Sequence, residues 1–419
     1  MPKPFIRKKI RGVAILTVLI SITLMMAIVT ELSTRETVYY KLALNERDAL
    51  QAEALAQSGA NFAQLLLMVQ EPLQNFLTNL GKVGAKLPAY TIWELMPIDS
   101  FLLQGITEGS FLPDFSPNKS AQNADNKNKK SENIQETPKV PLVGPYVAPQ
   151  GGYGGFAGHF STIIEDEEKK ISLRKWTESE LSFPRRKLIA DMIFRLLNKP
   201  ENAKLFDGSL GDNKNVTPAQ LVGNIYDWMS KDDQAVDVSA PPEQWGRNLV
   251  GDKRSIYLNT PGIQPKKAMM DSLAELRLVH GMTDALYKLL AKHLTIYGES
   301  DKINILSASD EIMGSVFYMC TKNRESSRFQ QPGFLEELLA SWIKKKNEAD
   351  QAISLDALKE HLVQHGVEVD EEECKHIAGT ESKTFTVKST ATVGSVTKTL
   401  LMRLRSAGGI TTIYQYQYL

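Results

Sequence analysis

Uncharged, mostly apolar residues occupy every helical face from Val13 to Val29, and no charge appears between Arg11 and Glu31. The pattern then becomes amphipathic. Ala49, Ala52, Ala56, Ala60, Ala63 and Leu67 recur at steps of three or four and so share one helix face, which Leu55, Phe62 and Leu66 widen. Glu46, Arg47, Asp48, Glu53 and Gln57 fill the rest. No proline occurs between Phe5 and Pro72, and Gly59 is the only glycine between Gly12 and Gly81. One helix from Val13 to about Val69 is predicted, roughly 85 Å long at about 1.5 Å per residue, with Glu71-Pro72 as its end.

The first part of that helix is long enough to span a membrane, which takes about 17–25 residues. Lys3, Arg7, Lys8, Lys9 and Arg11 precede it without an acid, which places the N-terminus in the cytoplasm. A cleaved signal peptide would need a small-residue site after the apolar run, and Met25-Met26-Ala27-Ile28-Val29-Thr30-Glu31 fits that poorly.

Farther on, residues 73–112 mix Leu, Phe and Trp93 with turns and read as partly packed. The stretch 113–150 is polar, with Asn126-Lys127-Asn128-Lys129-Lys130 at its centre, and buries too little apolar surface to offset ordering entropy. Phe160 to Leu173 reads as strand, acidic turn, strand, with Glu165, Asp166, Glu167 and Glu168 at a solvated tip. Residues 177–350 are mainly helical. Leu188, Ile189, Met192, Ile193 and Leu196 share a 3.6-period face, and Thr217-Pro218-Ala219-Gln220 is a capped helix start. Ser272 to Leu278 reads as a helix, Gly281 as a turn, and Thr283 as the cap of the next helix. Lys302 to Met313 reads as a short strand followed by a capped helix. The end is β: Phe385, Val387, Ser389, Ala391 and Val393 alternate, Gly394-Ser395 turns, Val396 to Leu404 alternate back, and Thr412 to Tyr418 adds a third strand.

Length and composition narrow the function classes. A chain of 419 residues is expected to hold more than one domain. Its formal net charge of zero gives no bulk basic field for nucleic acid. Two cysteines, Cys320 and Cys374, rule out a disulfide-dense scaffold and leave either one bridge or two buried thiols. In Asp227-Trp228-Met229-Ser230-Lys231-Asp232-Asp233, oxygen donors crowd a helix end as a hard cation such as calcium requires, without the spacing of an EF-hand. A plain helix cap and loop is the alternative. His361 and His365 lie four apart, but a zinc protease needs its glutamate between them, and Glu360 precedes both. Glu275 and Arg277 read as a structural ion pair. The Gly281 turn lacks the basic cluster that DNA binding needs. No nucleophile, phosphate-loop or catalytic-triad motif stands out, so no enzyme is expected.

A basic leader, a glycine and a hydrophobic helix start resemble a type IV prepilin or pseudopilin. In that family a membrane peptidase cuts after the glycine, here Gly12, so that Val13 becomes the N-terminus. Most members carry Phe at the first mature position and Glu at the fifth. This chain has Val13 and Thr17, and the missing acid resembles the K-type minor pseudopilins of type II secretion systems. Further segments carry the same resemblance. Asp166, Glu167, Lys170, Ile171 and Leu173 match "I-x-D-E-x-G-K-I-N-L-N", and Lys302-Ile303-Asn304 with Ala308 matches "K-I-N-x-N-T-A-x-x-x-V-L". Ser272, Glu275-Leu276-Arg277-Leu278-Val279 and Gly281-Met282-Thr283 match "x-S-x-x-E-L-R-L-V-x-G-M-T". Phe385, Val387, Ser389, Val393 and Gly394 match "F-x-V-x-S-x-x-x-V-G". Asp227, Trp228, Asp232 and Asp233 match "D-W-x-D-x-D-D", whose domain binds calcium in the family. Ser230 replaces one acid there, and Lys253-Arg254 stands where the later motif "G-A-E-D-x-Y-Y" has acids.

The resemblance implies an α+β fold: a pilin-like long N-terminal helix packed on a small antiparallel sheet, with a large inserted all-α domain. The expected divisions are a cleaved leader 1–12, a transmembrane part 13–30 beginning Val13, Ala14, Ile15, Leu16, Thr17, Val18 and Leu19, and a pilin-like first part 31–176 with a flexible loop 113–150. A helical insert 177–376 and C-terminal strands 377–419 follow. The implied function is a minor pseudopilin at the pseudopilus tip that starts assembly for export across the outer membrane. A tip minor pilin of a type IV pilus is the alternative. The implied partners are I- and J-type minor pseudopilins, the major pseudopilin, the prepilin peptidase and the inner-membrane assembly platform, with no nucleic acid. The implied location is the inner membrane, single pass, with the bulk periplasmic. No cofactor is required, and calcium on Asp227, Asp232 and Asp233 is the candidate ligand.

Overall fold

A computed structural model describes residues 11–81, 98–107, 158–174, 176–177, 183–207, 216–239, 249–258, 262–323, 328–329, 331–348 and 353–419. Trp93, the polar stretch 113–150 and the leader before Arg11 lie outside them. The first elements are α1 (Arg11–Gly81), β1 (Ile98–Asp99), α2 (Ser100–Thr107), β2 (Gly158–Asp166) and β3 (Ile171–Ser172). The helical part follows with α3 (Phe183–Leu197), α4 (Pro218–Met229), β4 (Gln234–Val236), β5 (Leu249–Asp252), α5 (Asp284–Leu290), β6 (Leu294–Thr295) and β7 (Ile303–Asn304). It continues through α6 (Asp310–Met319), α7 (Phe334–Glu348), α8 (Leu355–Gln364), α9 (Glu371–Ile377) and β8 (Ala378–Gly379). Strands β9 (Thr384–Val393), β10 (Val396–Ala407) and β11 (Ile410–Tyr418) close the chain.

The small-residue stripe determines how α1 docks. Ala52, Leu55, Ala56, Ala60, Ala63 and Leu67 are buried against Phe160, Phe385, Val387, Ala391, Leu400, Met402 and Leu404 of one sheet face. That sheet is five-stranded, in the order β1-β2-β9-β10-β11, with antiparallel pairing throughout. Alternation along β9 and β10 supplies the buried face, as a period of two requires. Pro72 lies inside α1 rather than ending it. Its fixed φ suits a helix and it removes one backbone donor, which weakens the local turn without forbidding it.

At Gly59 the helix approaches the sheet closely. A Cβ there would lie 2.4 Å from Thr162 Oγ1, 2.5 Å from Ser389 Oγ and 2.6 Å from Phe160 Cδ2. Thr162 Oγ1 donates to Ser389 Oγ at 2.8 Å directly beneath it.

The helical elements lie in sequence between β2 and β9, around a separate core that includes Trp176, Trp228, Phe317 and Trp342. Cys320 and Cys374 form a disulfide that ties the end of α6 to α9, with Cα atoms 4.4 Å apart. This settles the two alternatives left open by the sequence.

The acidic stretch departs from expectation. Asp166, Glu167 and Glu168 are 3%, 3% and 1% exposed, so they are no solvated tip. Nor does β3 fold back on β2. It pairs in parallel with β6, and β7 pairs in parallel with β8, so both crossings between sheet and insert are stitched to insert strands. The buried carboxylates join these seams. Asp166 accepts from Asn304 Nδ2 at 3.0 Å, Ser382 Oγ at 2.6 Å and the hydroxyl of Ser307. Glu167 accepts from Thr386 Oγ1 at 2.5 Å and from the Thr295 hydroxyl, and Lys170 Nζ lies 3.5 Å away. Glu168 accepts from the Thr384 amide at 2.9 Å and the Glu299 amide at 3.3 Å. The acids are buried because donors from both units converge on them, and a buried carboxylate without such donors is very costly. The two resembling segments at 166–173 and 302–308 therefore meet in space.

Burial pushes the Glu168 carboxyl up to about 7, opposed by the Thr384 amide and reinforced by Asp166. Its usual value is 4.5.

Two outcomes follow from this packing. On helix propensity alone, Gly59→Ala would stabilise by about 1 kcal/mol. The overlaps at Gly59 cost about 1–3 kcal/mol, so net destabilisation is expected. Thermal melts should show a lower Tm for Gly59→Ala and none of this loss for Ser58→Ala on the exposed face. A Glu168 pKa raised in the folded state means that Glu168 removes stability as pH rises from about 4.5 to about 7. Glu168→Gln abolishes that component. Urea denaturation at pH 5 and pH 8 should therefore show the variant gaining on the wild type as pH rises, whatever its offset at pH 5.

Candidate functional site

Two regions carry the candidate residues: the N-terminal part of α1 and the loop after α4. Along α1, Gly12 and Val13 lie within the first helical turns, and the side chains from Val13 through Leu19 are solvent-exposed. The segment Val13–Gln70 is long and apolar enough to cross a membrane, and none of its most apolar window is buried in the protein. Thr17 sits among those apolar side chains. Its hydroxyl donates to the carbonyls of Val13 at 3.1 Å and Ala14 at 2.9 Å, so it is satisfied within its own helix. Thr30 and Thr34 do the same with the preceding turn.

The second region begins where the sequence predicts a helix cap. Thr217 and Gln220 form a reciprocal capping box, and α4 runs to Met229 with Ser230 as its extended C-cap. Its last turn buries Asp227, whose carboxylate accepts from the Val236 amide at 3.1 and 3.2 Å. That bond fixes β4, which pairs antiparallel with β5. Strand β5 delivers Lys253, whose side chain is 0% exposed. Its ammonium donates to the Ser230 carbonyl at 2.7 Å and the Ser230 hydroxyl at 3.0 Å, with Asp232 Oδ1 at 3.6 Å. Ser230 Oγ also donates to Asp232 Oδ1 at 3.3 Å.

Asp233 points the other way. Arg254 Nη2 lies 2.6 Å from it, and the Lys267 ammonium binds the same oxygen. These two bonds, Lys267 first, hold its carboxyl down at about 2. Burial pushes the Asp227 carboxyl up to about 7 against the opposing Val236 amide and Lys253. Burial also lowers Lys253 from the usual lysine range, opposed by Asp232 and Asp227. The three predicted ligands are therefore brought to one loop, but not as open oxygens on one point. Asp227 is occupied by an amide, Asp233 by two bases, and an ammonium stands beside Asp232. This donor set does not fit a bound calcium, which takes six to eight oxygens at about 2.3–2.6 Å. Among the described residues, no group of three or more His, Cys, Asp or Glu side chains is placed to hold a metal ion.

Lys253 stands in the stretch where the sequence departs from the acidic pattern. The bases at 253 and 254 were visible as departures from an acidic pattern. Their placement against Ser230, Asp232 and Asp233 depends on the β4–β5 pairing.

The neighbouring turn is held by internal contacts. Ser272 and Glu275 cap a 3-10 helix, Leu273–Leu278, where an α-helix was expected. Glu275 pairs with Lys266 at 2.8 Å, while Arg277 lies 3.6 Å from Asp284 and over the Tyr287 ring. Glu275 and Arg277 are thus each engaged elsewhere rather than with one another. Gly281 has φ +87°, a conformation that favours glycine, and its position touches Val216. The amide of His280 donates to Tyr257 Oη at 3.1 Å, so it is committed inside the protein. Thr283 caps α5 through the Leu286 amide at 3.2 Å. His361 and His365 share the Ser341 hydroxyl, at 3.3 and 3.1 Å, while His376 lines a different cavity with Ile171 and Ile303.

Comparison with known proteins bears on this second region. Residues 198–299, which run from the end of α3 through α4, the Lys253 loop, α5 and β6, match the model of the type II secretion system (T2SS) protein K family. No curated protein matches the sequence. Among solved structures, the chain is similar to one in the GspK-GspI-GspJ complex from the type 2 secretion system of enterotoxigenic Escherichia coli. The identity is 17% and the TM-score 0.42, over 66% of this chain and 84% of that one. Residues 198–299, about a quarter of the chain, are thus similar to a domain of the type II secretion system protein K family.

Proposed function

We propose that this chain caps the tip of a periplasmic pseudopilus and helps start its assembly. The observation that carries the proposal is Thr17, with no carboxylate anywhere from Val13 to Thr30. In the pilin pattern, the fifth-position Glu of one subunit meets the N-terminal amine of its neighbour within an apolar helix bundle. Burying either charge alone costs several kcal/mol, so the pairing makes that packing tolerable. A hydroxyl already bonded to Val13 and Ala14 carries no charge with which to neutralise an amine. A subunit above this one would lack its partner. The bulk of the insert between β2 and β9 is a second, steric reason for a terminal position.

The role is structural rather than catalytic. The exposed apolar segment Val13 to Thr30 would span the inner membrane before extraction, and the sheet and insert would lie in the periplasm. The I- and J-type minor pseudopilins would share the tip bundle. The major pseudopilin would extend it below, and the assembly platform would drive extraction. The protein K match at residues 198–299 favours a secretion pseudopilus over a type IV pilus. Maturation would remove the leader after Gly12, leaving Val13 as the N-terminus.

Intact-mass analysis of the membrane-purified protein should start at Val13, and Gly12→Val should leave the leader attached in cells with an active peptidase. Immunogold labelling should mark filament ends only, and Thr17→Glu should disturb assembly less than deletion of the protein. Label spread along the filament at the density of the major subunit would refute the tip position.

A further inference from the structure

The loop after α4 is built around a positive charge that belongs to the chain itself. The oxygens gathered there are the Asp227 carboxylate at the helix end, the Ser230 carbonyl and hydroxyl, and the Asp232 carboxylate. Lys253 enters from the end of β5 with its side chain fully out of solvent, and its ammonium lies on the two Ser230 oxygens. An ammonium has three donors. Two are taken by Ser230, and the third side faces Asp232 at 3.6 Å. A buried lysine left unpaired is strongly destabilising, so this position is held by its acceptors rather than by packing alone. The backbone reinforces it: the Lys253 amide donates to the Asp233 carbonyl at 3.2 Å, and the Lys267 amide to the Trp228 carbonyl at 2.9 Å. The loop is thereby closed at both ends around one internal cation.

We infer that Lys253 is a tethered substitute for a divalent cation, so that this loop folds and stays folded without calcium. A calcium ion in the same place would need the oxygens that the ammonium now holds, and it would sit within a few ångströms of a fixed positive charge. Two positive charges that close repel strongly where water does not screen them. The outer carboxylate is closed to metal in the same way, because Arg254 and Lys267 both bind Asp233. The bases at 253, 254 and 267 act together: one inside the loop, two on its rim. A covalently attached charge is always present, so the domain's stability is uncoupled from the free calcium concentration.

Melting curves of the full chain in detergent test this, in millimolar calcium and in EDTA. The wild type should melt at the same temperature in both. Lys253→Ala removes the charge and opens space for an ion. Its Tm in EDTA should fall by about 5 °C or more, and calcium should restore part of the loss. Lys253→Gln, which keeps the length and a donor for Ser230, takes the place of Lys253→Ala if that variant does not fold. A wild type stabilised by calcium would overturn the inference, and that arm does not depend on any variant folding. So would a variant melting like the wild type in EDTA, or one with an equal loss in calcium and in EDTA.

Discussion

The burial of three consecutive carboxylates at the end of β2 is the constraint on which the architecture depends. Asp166, Glu167 and Glu168 stand where the chain leaves the sheet for the insert, and they collect donors from the two units they join. Such a cluster is tolerable only when every lone pair finds a partner, since an orphaned buried charge costs more than a packed apolar residue would gain. It therefore selects one arrangement of sheet and insert. A different docking angle would leave carboxylates without hydroxyls and amides. The parallel pairs β3–β6 and β7–β8 hold the same geometry through the backbone. Arg405 and Tyr414 of the C-terminal strands both reach Glu299, which extends the contact to the sheet's outer strands.

Helix α1 serves two environments with one periodic sequence. Its lower half packs small residues on the sheet, so closely that a Cβ at Gly59 would overlap Thr162, Ser389 and Phe160. Its upper half stands free, with apolar side chains that water does not favour. The two demands stay separate because the hydroxyls of Thr17, Ser21, Thr23 and Thr30 are satisfied by the helix itself. This removes the polar cost of entering an apolar bundle or bilayer. One helix thus combines an uncharged exposed segment with a closely fitted helix–sheet contact.

Charge is handled alike in the loop after α4 and at the acidic turn. In both places buried ions are matched by side chains and amides of the chain itself. The disulfide between Cys320 and Cys374 adds a covalent counterpart near α9, shortly before the chain returns to the sheet. Stability is thus drawn from internal pairing near both crossings.

The sequence by itself determined the local features, because their signals lie within a few residues. The 3.6-period alanine stripe located the docking face of α1, the period-two alternation located β9 and β10, and Thr217 and Thr283 located their helix starts. It also showed the charge-free run and the missing acid at Thr17. Local signals misjudged what depends on distant partners. Contiguous acids look solvated until Thr386, 219 residues from Glu167, and Asn304, 138 residues from Asp166, are brought against them. Lys253 looks like a surface base until the β4–β5 pairing turns it towards Ser230, 23 residues away. Whether a charged side chain is solvent-exposed or structural depends on desolvation and on donors supplied by other elements, and only the tertiary fold brings those together.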